Sequence, residues 1–182
     1  MELILLINNE LCDKITAHKN GLQHWAFSVF IFNQANQLFL QKRASNKYHS
    51  PNLWTNTCCS HFTDINELDD KENTAKKRLL FELGLDFKGD LLLVDKLEYN
   101  ADVGNGLIEN EVDYIFVGKL ASGFDLVEMK KSVNKTEVSD VKFEDISSCI
   151  MDVKQNPEKY TEWFKMILND NEFISKILNC LA

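Results

Sequence analysis

The sequence predicts an α+β domain, an α/β/α sandwich in which a mixed sheet is flanked by helices. Three observations predict it. The 182-residue length suits one domain, spanning residues 1–182, with a full hydrophobic core. Segments rich in β-branched and aromatic residues come first, then one helical stretch, then more strands, then helices at the end. That order is not the regular strand–helix alternation of a doubly wound sheet. Only two prolines and seven glycines interrupt the chain, with no repeat, low-complexity tract or linker.

The elements follow in order. The apolar run Leu3 to Ile7 reads as a first strand and is far too short to span a bilayer. Trp25 to Phe32 is a strand, residues 33–36 are turn chemistry, and Leu38 to Lys42 is the return strand. Ser45 to Asn52 is a polar loop closed by Pro51, and Leu53 to Thr57 is another short strand. Glu67 to Leu83 reads as one helix, because Ala75, Leu79 and Leu83 recur at four-residue spacing and Gly84 is placed to end it. Strands are expected at Leu91 to Leu97, Val112 to Val117 and Val138 to Phe143. Helices at Ile146 to Lys154 and Glu158 to Leu181 close the chain.

Hydrophobic content of 45% and charged content of 26% are ordinary for a soluble globular protein. The net charge of −8 argues against a sequence-independent nucleic-acid binder, but a local cluster of lysine and arginine could still receive a small anion. No signal peptide or lipidation motif is visible, so a cytoplasmic location is expected. The five cysteines, Cys12, Cys58, Cys59, Cys149 and Cys180, are odd in number and lack zinc-ligand spacing. They read as reduced thiols, most of them inert fillers.

Chemistry concentrates in a few places. All four histidines, His18, His24, His49 and His61, fall in the first third of the chain, three of them near strand ends. Imidazole is a favoured ligand for several divalent metals, although a lone histidine is more often structural. Glu109 and Glu111 lie two apart, on one face of a strand. They are either a solvated edge or a pair held together by a cation, and the buried character of Val112 to Val117 leads towards the second reading. Three histidines with two glutamates suit Mn²⁺ or Mg²⁺ better than four-coordinate zinc. Cys59 stands two residues before His61, close enough for a metal or imidazole to lower its pKa. Lys14, Arg43, Lys47 and Arg78 are the cations nearest these groups in sequence, either surface charges or a grip for a diphosphate. Arg78 and Glu82 share one helix face at i, i+4.

Several linked motifs then resemble the type 1 isopentenyl-diphosphate isomerases. They are His18, the run His24-Trp25-Ala26-Phe27-Ser28, Gln41-Lys42-Arg43-Ala44, Trp54 through His61, Glu82-Leu83-Gly84, Ile108 through Glu111, and Trp163-Phe164. The resemblance spans nearly the whole chain and implies a Nudix-like fold. By it, His18, His24, His61, Glu109 and Glu111 bind one divalent metal, Mn²⁺ or Mg²⁺. Glu82 helps hold a second Mg²⁺ that arrives with the diphosphate. Lys14, Arg43, Lys47 and Arg78 contact the phosphates, Cys59 and Glu111 transfer protons, Tyr99 lies near Glu111, and Trp163 faces the hydrocarbon. The implied substrate is isopentenyl diphosphate, with no nucleic-acid or membrane partner and a monomer or weak homodimer. His49 matches no motif position and is expected to leave metal binding unaffected. Ser60 stands where many members carry glycine, and the interval from His18 to His24 is a residue shorter than in some. Leu79 and Leu83 stand where Nudix hydrolases usually carry acidic residues, which argues against hydrolysis. The competing readings are a hydrolase of a nucleoside or prenyl diphosphate, which would want the full acidic helix, and a non-catalytic binding module, which would tolerate loss of Cys59 or Glu111.

Overall fold

The computed structural model describes residues 2–181. Its centre is a seven-stranded mixed sheet. The strands, in chain order, include β3 (His24–Phe32), β4 (Gln37–Arg43), β5 (Trp54–Thr55), β6 (Cys58–His61), β7 (Leu92–Asp102), β8 (Ile108–Lys119) and β9 (Val138–Asp145). The sheet order is β5-β4-β3-β8-β7, with β6 also paired to β3 and β9 to β4. The β3–β8 pairing is parallel and the other pairings are antiparallel. A separate two-stranded sheet joins β1 (Leu3–Leu5) to β2 (Leu11–Asp13).

Alternation along the strands divides the core in two. Phe27, Val29 and Ile31 face one side and pack with Ala75, Leu79 and Leu83 of α3 (Lys71–Leu83) and Met129 of α4 (Leu126–Ser132). Phe30, Phe32, Ile115 and Val117 face the other. There they meet Cys149 and Val153 of α5 (Ile146–Gln155), Trp163 and Phe164 of α6 (Glu162–Asn169), and Phe173 and Ile177 of α7 (Asn171–Asn179). Each large apolar side chain buried this way contributes about 1.5–3 kcal/mol relative to exposure. This is the expected sandwich.

Three expectations need correction. The stretch 67–83 is two helices, α2 (Ile65–Asp69) and α3, because the backbone turns at Asp70 (φ −110°, ψ 52°). Asp64 starts α2 by accepting the backbone N–H groups of Asn66 and Glu67. The C-terminal stretch likewise breaks: a 3₁₀ turn spans Pro157–Lys159, and Asp170 caps α7 through Glu172 and Phe173 N–H. Four elements were not foreseen: β2, α1 (Lys14–Asn20), β6 and α4. Of the two readings of Glu109 and Glu111, the solvated edge falls away, since β8 runs between β3 and β7.

The short helix α1 matters most for the site. Asp13 caps it by accepting Thr16 N–H, and Gly21 ends it in the left-handed region (φ 59°). That left-handed turn reverses the chain within three residues, bringing His18 in the last turn of α1 beside His24 at the start of β3. Asn110, between the two glutamates, donates from Nδ2 to Gly21 O at 2.8 Å and ties α1 to β8. No helix among the described residues is long and apolar enough to cross a membrane.

Candidate active site

Strand register assembles the site. His24 pairs with Glu111 across β3–β8, Ala26 with His61 and Ser28 with Cys59 across β3–β6, and Tyr99 with Glu111 across β7–β8. Paired residues share a face, and so do residues two apart on one strand. His24, His61, Cys59, Tyr99, Glu109, Glu111 and Asp113 therefore all project from one face of the sheet, towards α5–α7. Cys58, one residue off, points the other way and packs in the core beneath α3.

The histidines form a cluster around Glu109. The rings of His18, His24 and His61 lie 4.8–5.1 Å apart by centroid. Their Nε2 atoms are 3.0, 3.4 and 3.6 Å from Glu109 Oε2, and His61 Nε2 is 2.9 Å from Glu111 Oε1. His18 and His24 each direct Nδ1 at a backbone carbonyl, Lys14 O at 2.6 Å and Leu22 O at 2.8 Å. That fixes the tautomer and leaves Nε2 for a ligand, as metal-binding histidines are commonly held. Ligand atoms of His18, His24, His61 and Glu109 all lie within 4.8 Å of one another. His24 Nε2 and Glu109 Oε2 are buried with no hydrogen-bond partner. Orphaned buried polar atoms are costly, and a cation among them removes the cost. The residues present thus fit a divalent metal.

Electrostatics agree. Burial disfavours a charged His24, yet Glu109 and Glu111 overrule it and raise its pKa to about 10. Burial also opposes ionisation of Glu109, but the four surrounding histidines hold its carboxyl well below the usual range. Burial and the charge on Glu109 work against ionisation of Glu111, while His24 and His61 hold it down. A metal entering such a cluster takes the place of imidazole protons.

Around the cluster, Tyr99 donates to Glu111 Oε2 at 2.6 Å. Cys59 lines the same cleft. Its thiol is pushed up, not down as expected from sequence, first by burial and then by the nearby carboxylates of Glu82, Glu111 and Asp113, with Arg43 opposing. Trp163, on α6, is buried and held by its Nε1 donating to Asn56 Oδ1 at 3.1 Å. All four candidate phosphate cations line this cleft. Lys14 pairs with Glu2, Lys47 with Glu137 at 2.7 Å, and Arg78 with both Glu82 (2.6 Å) and Glu137 (3.0 Å). Arg43 has no carboxylate partner among the described residues and donates to the carbonyls of His49 and Ser50.

Glu82 stands apart from the histidine cluster. Its carboxylate receives Gln41 Nε2 at 2.8 Å, Arg78 Nε, and the Cys58 thiol at 3.4 Å. Among the acids of α3, Glu72 instead binds Lys76 and Leu91 N–H, so Glu82 alone serves this region. Leu79 and Leu83 are fully buried core residues. Beside Glu82 on α3, Phe81 is exposed and Arg78 is half-buried, and neither is acidic.

Residues 22–164 match the NUDIX domain family. A Dinoroseobacter shibae protein named isopentenyl-diphosphate Delta-isomerase is 40% identical over 87% of this chain and 84% of its own length. A Jannaschia protein of the same name is 41% identical over 86% of this chain and 83% of its own. This chain belongs to the isopentenyl-diphosphate Delta-isomerase family of NUDIX-domain proteins. The fold extends further. A Deinococcus radiodurans crystal structure aligns with a TM-score of 0.61 at 11% identity, covering 92% of this chain and 96% of that one. A Burkholderia pseudomallei MutT NUDIX hydrolase aligns at 0.58 and 13% identity, covering 82% and 98%. These distant likenesses show the architecture alone.

Two buried groups escaped the sequence reading. Asp113 continues the every-second-residue series of Glu109 and Glu111, a signal that was there to use. Burial and then Glu111 push it well above the carboxylate range, and it accepts Ser28 Oγ at 2.8 Å. His49, read as part of a solvated polar loop, is instead 2% exposed with Nε2 2.8 Å from Glu109 Oε1. Burial, against the pull of Glu109, lowers its pKa to about 4. Nothing in the loop composition signalled this.

Proposed function

We propose that the protein interconverts isopentenyl diphosphate and dimethylallyl diphosphate, adding a proton at one end of the allylic unit and removing one from the other. One observation carries this reading: a thiol, a histidine–carboxylate cluster with orphaned donor atoms, and four cations converge on a single cleft. His18, His24, His61, Glu109 and Glu111 would hold Mn²⁺ or Mg²⁺. When bound, the ion would relieve the repulsion between the two glutamates and tune the acidity of Glu111. Glu82 would help hold a second Mg²⁺ brought by the diphosphate.

The chain's own residues do the rest. Lys14, Arg43, Lys47 and Arg78 bind the diphosphate, and that binding energy holds the short hydrocarbon in place. Cys59, kept protonated by burial, and Glu111, kept ionised by His24 and His61, are opposite in protonation, as a proton donor and acceptor must be. Tyr99 orients Glu111. Protonating an unactivated alkene produces a tertiary carbocation, and the π face of Trp163 can stabilise it by about 2 kcal/mol in a desolvated site. Burial of Trp163, Tyr99 and Phe27 at the cleft helps to keep water from that cation.

Incubation with isopentenyl diphosphate and Mg²⁺ should yield dimethylallyl diphosphate and no free phosphate. Exhaustive chelation should abolish turnover, and Mn²⁺ or Mg²⁺ should restore it. Phosphate release in place of isomerisation, or full activity after metal has been removed as judged by elemental analysis, overturns the proposal.

A further inference from the structure

The loop between β4 and β5 reaches into the histidine cluster at one point. His49 Nε2 is 2.8 Å from Glu109 Oε1, the oxygen turned away from His18, His24 and His61. The other ring nitrogen, Nδ1, lies 3.2 Å from Ser50 Oγ. A Ser50 hydroxyl donating to Nδ1 places the ring proton on Nε2, the nitrogen in close contact with Glu109 Oε1. The loop is held for this. Ser50 is in the left-handed region (φ 47°), a conformation that L residues adopt at a cost. Arg43 donates from Nε to Ser50 O at 3.2 Å and from a terminal nitrogen to His49 O at 3.1 Å. The His49 ring is further enclosed by Tyr48, edge-on at 4.3 Å, and Trp163 at 5.9 Å.

We propose that His49 is a positioning residue for the metal: by occupying Oε1 of Glu109 it presents Oε2 alone to the ion, as a single-oxygen ligand. This rests on the metal reading above and reverses the sequence expectation that His49 is irrelevant to metal binding. Oε2, the oxygen facing His18, His24 and His61, is buried without a hydrogen bond, as a carboxylate oxygen meant for a cation should be. Outer partners of this kind typically set metal affinity by ~10- to 100-fold.

The test is Mn²⁺ binding to the full-length, metal-stripped protein, followed by electron paramagnetic resonance without substrate. His49→Leu removes the donor. His49→Gln carries an amide N–H of similar reach, and His49→Asn one that is too short. The expected result is Mn²⁺ affinity ~10- to 100-fold weaker in His49→Leu and His49→Asn, with His49→Gln close to wild type. Circular dichroism of the stripped proteins separates folding from binding; should His49→Leu fail to fold, the contrast between Gln and Asn decides. Wild-type affinity in His49→Leu, or equal losses in Gln and Asn, overturns the positioning role while leaving the metal site intact. A wild-type protein that binds no Mn²⁺ overturns the metal reading itself, and this inference with it.

Discussion

Glu111→Gln should retain metal and lose turnover by ~10²- to 10⁴-fold, the usual worth of a positioned acid–base group. Glutamine keeps the size of the side chain and one oxygen that His61 can meet, but it cannot accept a proton. Glu111 stands at the meeting of three devices: His61 Nε2 on Oε1 at 2.9 Å, Tyr99 on Oε2 at 2.6 Å, and burial beside His24. Glu109, on the same strand face, is engaged only with histidines, and its replacement should instead show as lost metal. Elemental analysis and steady-state kinetics on the two variants check this. Normal turnover in metal-loaded Glu111→Gln would contradict the role given to it.

The second large effect separates adjacent cysteines. Cys59→Ala should abolish turnover, while Cys58→Ala should keep most of it. Strand alternation puts Cys59 in the cleft with Trp163 and Glu111, and Cys58 behind the sheet, fully buried with its thiol towards Glu82. Removing Cys58 costs packing and one weak hydrogen bond, a stability effect of about 1 kcal/mol. Activity of both variants, compared with their urea midpoints, distinguishes the cases. Equal loss of activity in both would sink the assignment to Cys59.

How much of this was legible in the sequence depended on the range of the signal. Strand period and apolar runs located β3, β4, β8 and β9 and the sandwich order, because local alternation determines which face a residue takes. The i, i+2 spacing of Glu109 and Glu111 correctly put both on one face. That β8 lies between β3 and β7, which makes the pair buried, depends on long-range pairing that no local pattern encodes. The family resemblance supplied His18, yet α1, the helix that carries it, is seven residues long and lacks a strong apolar stripe. The break at Asp70 was hidden because Ala75, Leu79 and Leu83 keep a helical period that says nothing about where the helix begins. His49 was misread because its setting too depends on long-range contacts. Its neighbours Asn46, Lys47, Ser50 and Asn52 are turn-forming and polar, and only the tertiary fold, with Arg43 pinning the loop, turns the ring inward. The thiol of Cys59 was expected to be acidified by its nearness to His61. In the folded chain, burial and three neighbouring carboxylates raise its pKa, and the opposing charge is that of Arg43.

The most direct measurement of the central claim is the reaction run in deuterated water, with isopentenyl diphosphate as substrate and the product analysed by NMR. A thiol and a carboxylate that exchange their protons with solvent deliver solvent hydrogen to carbon. The account predicts dimethylallyl diphosphate carrying deuterium on carbon, with the diphosphate intact. Product without carbon-bound deuterium, or cleavage of the diphosphate with every carbon-bound hydrogen untouched, would contradict it.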